Sequence, residues 1–202
     1  MASEISKDKT MKYLVWNECY ISGGADWSLI DLITSWPSPE DNFVVYVNQS
    51  HEGLDLLRTK LIERAEVKTF SSPLEKVDNI RKCFPEKKQF DHRVLRIAFY
   101  LCSFVLVLWE YFLIICKNKK NVLLLNNGGY PGGHSNYLVM TLSYFLTKSR
   151  NIMIVRNYPS ADALGGFKKN FYQWVCQTCL EKIICVSDSL LESVHNKGGI
   201  ER

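Results

Sequence analysis

The segment NNGGYPGGHSNYL, residues 126–138, places four glycines and a proline directly after the apolar run VLLL, residues 122–125. Glycine costs about 0.5–1 kcal/mol relative to alanine in regular structure, so such a cluster marks a turn or a close approach of backbone to a ligand. A shorter cluster, ISGGA (21–25), follows an earlier apolar run at residues 13–19. A helical pattern comes after each cluster. The free N–H groups and the dipole at a helix start favour an anion such as phosphate. One glycine turn between strand and helix is ordinary structure. Two that face each other point to a phosphate- or sugar-binding cleft. Its candidate contacts are Gly23, Gly24, Asn127, Gly128, Gly129, Tyr130, Gly132, Gly133 and His134. Arg156 and Asn157, after the apolar run 151–155, complete the set.

Other chemistries fit less well. Neither cluster spells GxGxxG. Residues 128–135 read G-x-x-x-x-G-His-Ser, but His134 stands where a P-loop needs the fixed charge of lysine. Cys176 and Cys179 have CxxC spacing inside a helical pattern, with only Cys185 and His195 nearby. A zinc site needs four ligands and a redox pair normally opens a helix, so buried packing is expected and no metal. No Ser-His-Asp set and no hydrolytic carboxylate pair is evident.

The elements that must carry these loops follow from periodicity. Strand-length apolar runs occur at 13–19, 43–48, 67–70, 121–125, 151–155 and 182–186. Several lack alternation, as strands covered on both faces do. Helical patterns fall between them at 26–36, 51–64, 93–116, 135–148, 163–180 and 188–196. Pro37 and Pro39 stop the first helix, SLLE (189–192) offers a capping box for the last, and Gly198 a stop. Strict alternation predicts an α/β fold with a doubly wound, mostly parallel six-stranded sheet, Rossmann-like. Ligands bind such sheets at the carboxyl ends of the strands near the switch point. The loops at 21–25, 126–134 and 156–160 then share one rim.

Composition agrees. The chain has 202 residues, 47% hydrophobic and 23% charged, which is globular. At this length a fold buries about 70% of its unfolded surface, enough for one core. One domain is expected over residues 11–199 after a flexible stretch at 1–10. The net charge of +4 is too mild to indicate nucleic acid. Seven cysteines form an odd set, and residues 1–10 are polar and mixed in charge, unlike a secretory leader. A reduced, cytoplasmic setting is expected.

The most apolar part of the chain runs from Arg93 to Cys116. As a helix it is about 36 Å long, the length of a membrane span. Glu110 divides it, and a parallel sheet needs its crossover there. A crossover helix with excess apolar surface is expected, facing a membrane or a partner domain. Residues 71–92 before it carry Arg81, Lys82, Lys87 and Lys88 with Phe84 and Phe90 interleaved, and Lys117, Lys119 and Lys120 follow it. Such basic-aromatic mixtures suit an anionic lipid surface.

In order, KYLVWNECYISGGAD, NVLLLNNGGYPGGHSN, IMIVRNYP and KIICVSDSLLESV resemble the N-terminal half of a GT-B glycosyltransferase of the retaining family 4 type. The resemblance covers residues 11–195. It implies sugar transfer from a nucleotide-sugar donor to a glycan or lipid-linked acceptor, with no metal cofactor. It also implies that this domain binds mainly the acceptor, while a C-terminal domain, expected in cis or trans and absent from this chain, holds most of the donor. Gly23 and Gly24 match the glycines that approach the donor phosphate or the acceptor. Asn127 to Gly133 match the acceptor-side loop, where Tyr130 or His134 could contact a sugar. Arg156 falls where many members carry histidine. Arginine is no acid or base near neutral pH, so its part would be to stabilise phosphate or a sugar hydroxyl. Arg156 and His134 are the only catalytic candidates. Two rivals remain: a non-catalytic α/β module recruiting a partner or membrane, and a GT-B-type sugar-nucleotide epimerase.

Overall fold

A computed structural model describes residues 10–71, 91–119, 122–129, 133–158 and 166–198. Six strands are present: β1 (Lys12–Asn17), β2 (Asn42–Asn48), β3 (Ala65–Phe70), β4 (Val122–Gly129), β5 (Arg150–Asn157) and β6 (Lys182–Cys185). Among the described residues six helices alternate with them: α1 (Gly24–Thr34), α2 (Leu54–Leu61), α3 (Asp91–Lys117), α4 (His134–Thr147), α5 (Gly166–Cys179) and α6 (Asp188–Gly198). The strands pair in the order β3-β2-β1-β4-β5-β6, every pair parallel. This is the doubly wound arrangement that alternation implied, with its switch point between β1 and β4.

Two cores explain the continuous apolar runs. On one face Tyr13, Val15, Val45 and Leu124 pack against Leu29, Ile33, Leu57 and Leu61 of α1 and α2. On the other, Trp16, Tyr46, Leu125 and Met153 meet α3, α4, α5 and α6. Trp16 stacks on Phe70 with ring centroids 4.0 Å apart, and Tyr111 of α3 meets it edge-on at 5.0 Å. Its indole N–H donates to Ser135 Oγ at 2.8 Å, which fixes the start of α4 against β1.

Several boundaries differ from the periodicity, each for a local reason. β1 stops at Asn17, two residues early, because Glu18 leaves the sheet to meet α4. α1 begins at Gly24 rather than Asp26, since the Asp26 carboxylate reaches back to the Gly23 N–H at 3.1 Å. β4 and β5 run past their apolar segments to Gly129 and Asn157, which pair with each other. Asn126–Gly129 and Arg156–Asn157 are therefore strand, not loop. At α6 the cap is Ser187, whose Oγ accepts from Leu190 N at 3.3 Å, and not the Ser189 of the expected capping box.

The long helix α3 is the crossover that the sheet requires. Val107, Tyr111, Ile114 and Ile115 are buried in the core, and the Tyr111 hydroxyl donates to Ser71 O at 3.1 Å. Glu110, which divides the apolar run, accepts the Ser71 N–H at 3.2 Å. Among the described residues no helix is long and apolar enough to cross a membrane. The basic-aromatic stretch lies mostly outside the described residues, as do Tyr130 and Gly132.

Candidate functional site

The carboxyl ends of β1, β4 and β5 form one rim, and a buried polar chain runs beneath it. Asn126 Nδ2 donates to Asn17 Oδ1 at 3.0 Å on the neighbouring strand. Asn17 Nδ2 in turn reaches Asp26 Oδ1 at 3.4 Å, at the start of α1. His51, in the loop after β2, accepts the Gly53 N–H on Nδ1 at 2.8 Å, so its Nε2 carries the hydrogen that faces Asp26 Oδ1, 3.2 Å away. Asn17, Asn126, Asp26 and His51 are all buried. Asn126, Asn17 and Asp26 bond one another in series, which lets them sit this deep, while His51 Nε2 stays at ion-pair distance from Asp26.

Arg156 ends this chain at the rim. Its Nε and Nη2 both donate to Asn126 Oδ1, at 3.1 and 3.0 Å, and Nη1 contacts Ser28 Oγ in the second turn of α1. Burial lowers the guanidinium from its ordinary value, with Cys19 and Asp26 opposing, yet arginine stays charged at any physiological pH. A half-buried fixed cation is thus locked beside the N-terminus of α1. Among the described residues nothing engages the Gly24 and Ala25 amides there, whereas the Gly23 amide is taken by Asp26. A Cβ added at Gly23 or Gly24 would meet nothing within 4 Å, and Gly23 is in extended backbone that any residue adopts. Neither glycine answers an internal steric need.

The second glycine cluster behaves differently, which corrects the expectation of two open anion sites. Glu18 Oε2 accepts the Asn136 N–H at 3.1 Å, and Ser135 bonds the same carboxylate through both its amide and its hydroxyl. The protein's own carboxylate occupies the N-terminus of α4. Burial raises the Glu18 pKa, while the bonds from Ser135 and Asn136 and the nearby His134 oppose the rise. A Cβ at Gly133 would collide with this carboxylate. That glycine serves internal packing.

His134 opens α4 with its ring exposed, and its Nδ1 lies 2.5 Å from the Tyr172 hydroxyl of α5. Burial, then Glu18, raises the Tyr172 phenol, so it keeps its proton and can donate to Nδ1. Either group can be the donor in this bond, and the exposed His134 ring stands at the rim. Asn127 is buried, with Nδ2 3.9 Å from Met153 Sδ, and does not line the rim. Gly128 and Gly129 lie within β4, and Asn157 is exposed at the end of β5. The structure thus brings Gly24, Arg156, Asn157 and His134 to one rim. Glu18, Asn126, Asp26, His51 and Tyr172 were not singled out from the sequence. The asparagines that follow the apolar runs of β1 and β4 were a usable signal, since such side chains are poor strand formers.

The CxxC residues behave as core. Cys176 and Cys179 are buried, and burial pushes the Cys176 thiol up to about 12. Among the described residues no cluster could hold a metal ion.

In fold, the chain is similar to Anabaena HepE. The HepE complex with UDP-glucose superposes with a TM-score of 0.61 at 13% identity, over 95% of this chain and 41% of HepE. The complex with UDP gives 0.59 at 13% identity, and that with UDP and glucose gives 0.58 at 12%, each over 42% of HepE. The chain therefore spans less than half the length of the protein it matches, and at this identity the likeness is one of fold. No family model matches the chain, and no curated protein matches it in sequence.

Proposed function

We propose that this chain is the acceptor-side, Rossmann-like unit of a glycosyltransferase that moves a sugar from a nucleotide-sugar donor to a glycan or lipid-linked acceptor. One observation carries the reading. At the switch point the Arg156 guanidinium is held beside the start of α1 by Asn126 and Ser28, and a Cβ added at Gly23 or Gly24 there would meet nothing within 4 Å. Phosphate or a dense set of sugar hydroxyls suits such a place, because fixed donors need no reorganisation when charge arrives. The bound UDP and UDP-glucose of HepE, which shares this fold, support a nucleotide-sugar.

Roles follow from the geometry. Asn126 and Ser28 hold the Arg156 fork in one orientation, so the guanidinium meets negative charge developing on a departing diphosphate. His134, held by Tyr172, offers its free ring nitrogen to an acceptor hydroxyl. Neither group is assigned as a base. A further unit, in cis or in trans, holds most of the donor; HepE, more than twice as long as the matched region, supports that division.

Backbone amide NMR tests the site. Titration with UDP and UDP-glucose should shift Gly24 and Ala25 with weak affinity, and Arg156→Lys should weaken binding about tenfold by losing the fork. No shift at α1's start would overturn the site. Tight donor binding by this chain alone would overturn the division of labour.

A further inference from the structure

Beyond the rim, we infer that the outer face of α3, α4 and α5 docks on an anionic membrane surface without crossing it. α3 exposes Ile97, Leu101, Val105, Leu106, Trp109 and Leu113, spread over about half the circumference at 100° per residue. Val105 and Trp109 are 62% and 58% exposed. Neighbouring α4 adds Tyr144, Phe145 and Leu146, and α5 adds Phe171 and Trp174, all exposed. α3 packs on α4 and α4 on α5, so these side chains lie on adjacent helices. A water-facing surface this apolar marks an interaction site.

Charge selects the occupant. The sequences of α3, α4 and α5 hold two carboxylates, Asp91 and Glu110, against five fixed cations, Arg93, Arg96, Lys117, Lys168 and Lys169. Glu110 is already turned to the Ser71 N–H. On the opposite side of the sheet, α1 and α2 carry Asp26, Asp31 and Asp55 against Arg58 and Lys60, while α6, on the same side as the patch, carries Asp188 and Glu192 against Lys197. Exposed Lys117 and Lys119 lie at the C-terminal end of α3, and exposed Lys148 at that of α4. An apolar face with aromatic residues and a rim of cations matches the boundary of a bilayer rich in anionic headgroups. Spanning is excluded by the inner half of α3, which is part of the core.

Co-sedimentation of the whole chain with vesicles tests this. Binding should be strong on vesicles containing phosphatidylglycerol, weak on pure phosphatidylcholine, and reduced by salt. Val105→Glu should lower it at least tenfold with an unchanged thermal melt, because the side chain is mostly exposed. Lys117→Gln with Lys119→Gln should lower it about 30-fold, from about fivefold per cation. Equal binding to both vesicle types, or none, overturns the inference. So does a discrete dimer in light scattering that Val105→Glu dissociates, or retention of the chain in membranes after alkaline carbonate, which would show a span.

Discussion

Arg156 on β5 and Asn126 on β4 share one carbonyl: Asn126 Oδ1 accepts two guanidinium N–H groups while its Nδ2 donates across to Asn17. One asparagine therefore orients the rim's fixed cation and ties the switch-point strands together. Asn126→Ala should cost about 1.5–3 kcal/mol in urea denaturation, the range for bonds to a charged partner. It should also weaken nucleotide binding. A variant as stable as the parent would show that the network carries little of the fold's free energy.

The two glycine clusters separate by mutation. At Gly133 an added methyl meets the Glu18 carboxylate, so Gly133→Ala should destabilise by about 1–3 kcal/mol. The loss should largely disappear in a Glu18→Ala background, where the obstacle is gone. A double-mutant cycle that showed no coupling would place the strain elsewhere.

At Gly24 the surroundings are open and the backbone is helical, so Gly24→Ala should leave stability unchanged or raise it by up to about 1 kcal/mol. Under the proposed function the same methyl obstructs the ligand and weakens UDP binding. Unimpaired binding by Gly24→Ala would remove that glycine from the site.

The layers of the fold were legible because continuous apolar strands alternating with helical patterns admit few topologies. The rim was legible in place but not in detail. Glycine content alone could not separate Gly133, packed on Glu18, from Gly24, facing open space, because that distinction lies in a residue more than a hundred positions away. Asn127 misled because strand β4 outlasts its apolar run, and the side chain turns into the core. Tyr172 was invisible for a similar reason: its helix meets His134 only through tertiary packing.

Glu18 gives a pH test with a definite sign. Its folded pKa is raised, chiefly by burial, so the folded state holds this proton more tightly than the unfolded chain does. The resulting stability is present below the unfolded value and is lost as pH rises through the folded one. Glu18→Gln keeps an acceptor for the Asn136 N–H without the charge. The stability of the variant relative to the parent should therefore climb from pH 4 to pH 7 in paired urea titrations. A difference that falls over that range would mean that the bonds from Ser135 and Asn136 outweigh burial.

Thiol labelling distinguishes the cysteines by environment. Cys176 is buried with its thiol pushed up to about 12, so almost none is thiolate near neutral pH, while Cys102 is exposed on α3. Reaction follows the accessible thiolate. With an aromatic disulfide reagent at pH 8, Cys102→Ser should remove one fast equivalent and Cys176→Ser should remove none. Phosphatidylglycerol vesicles should slow the Cys102 reaction severalfold, since docking would cover that face of α3. Unchanged labelling on vesicles that the chain demonstrably binds would mean that a different surface meets the lipid.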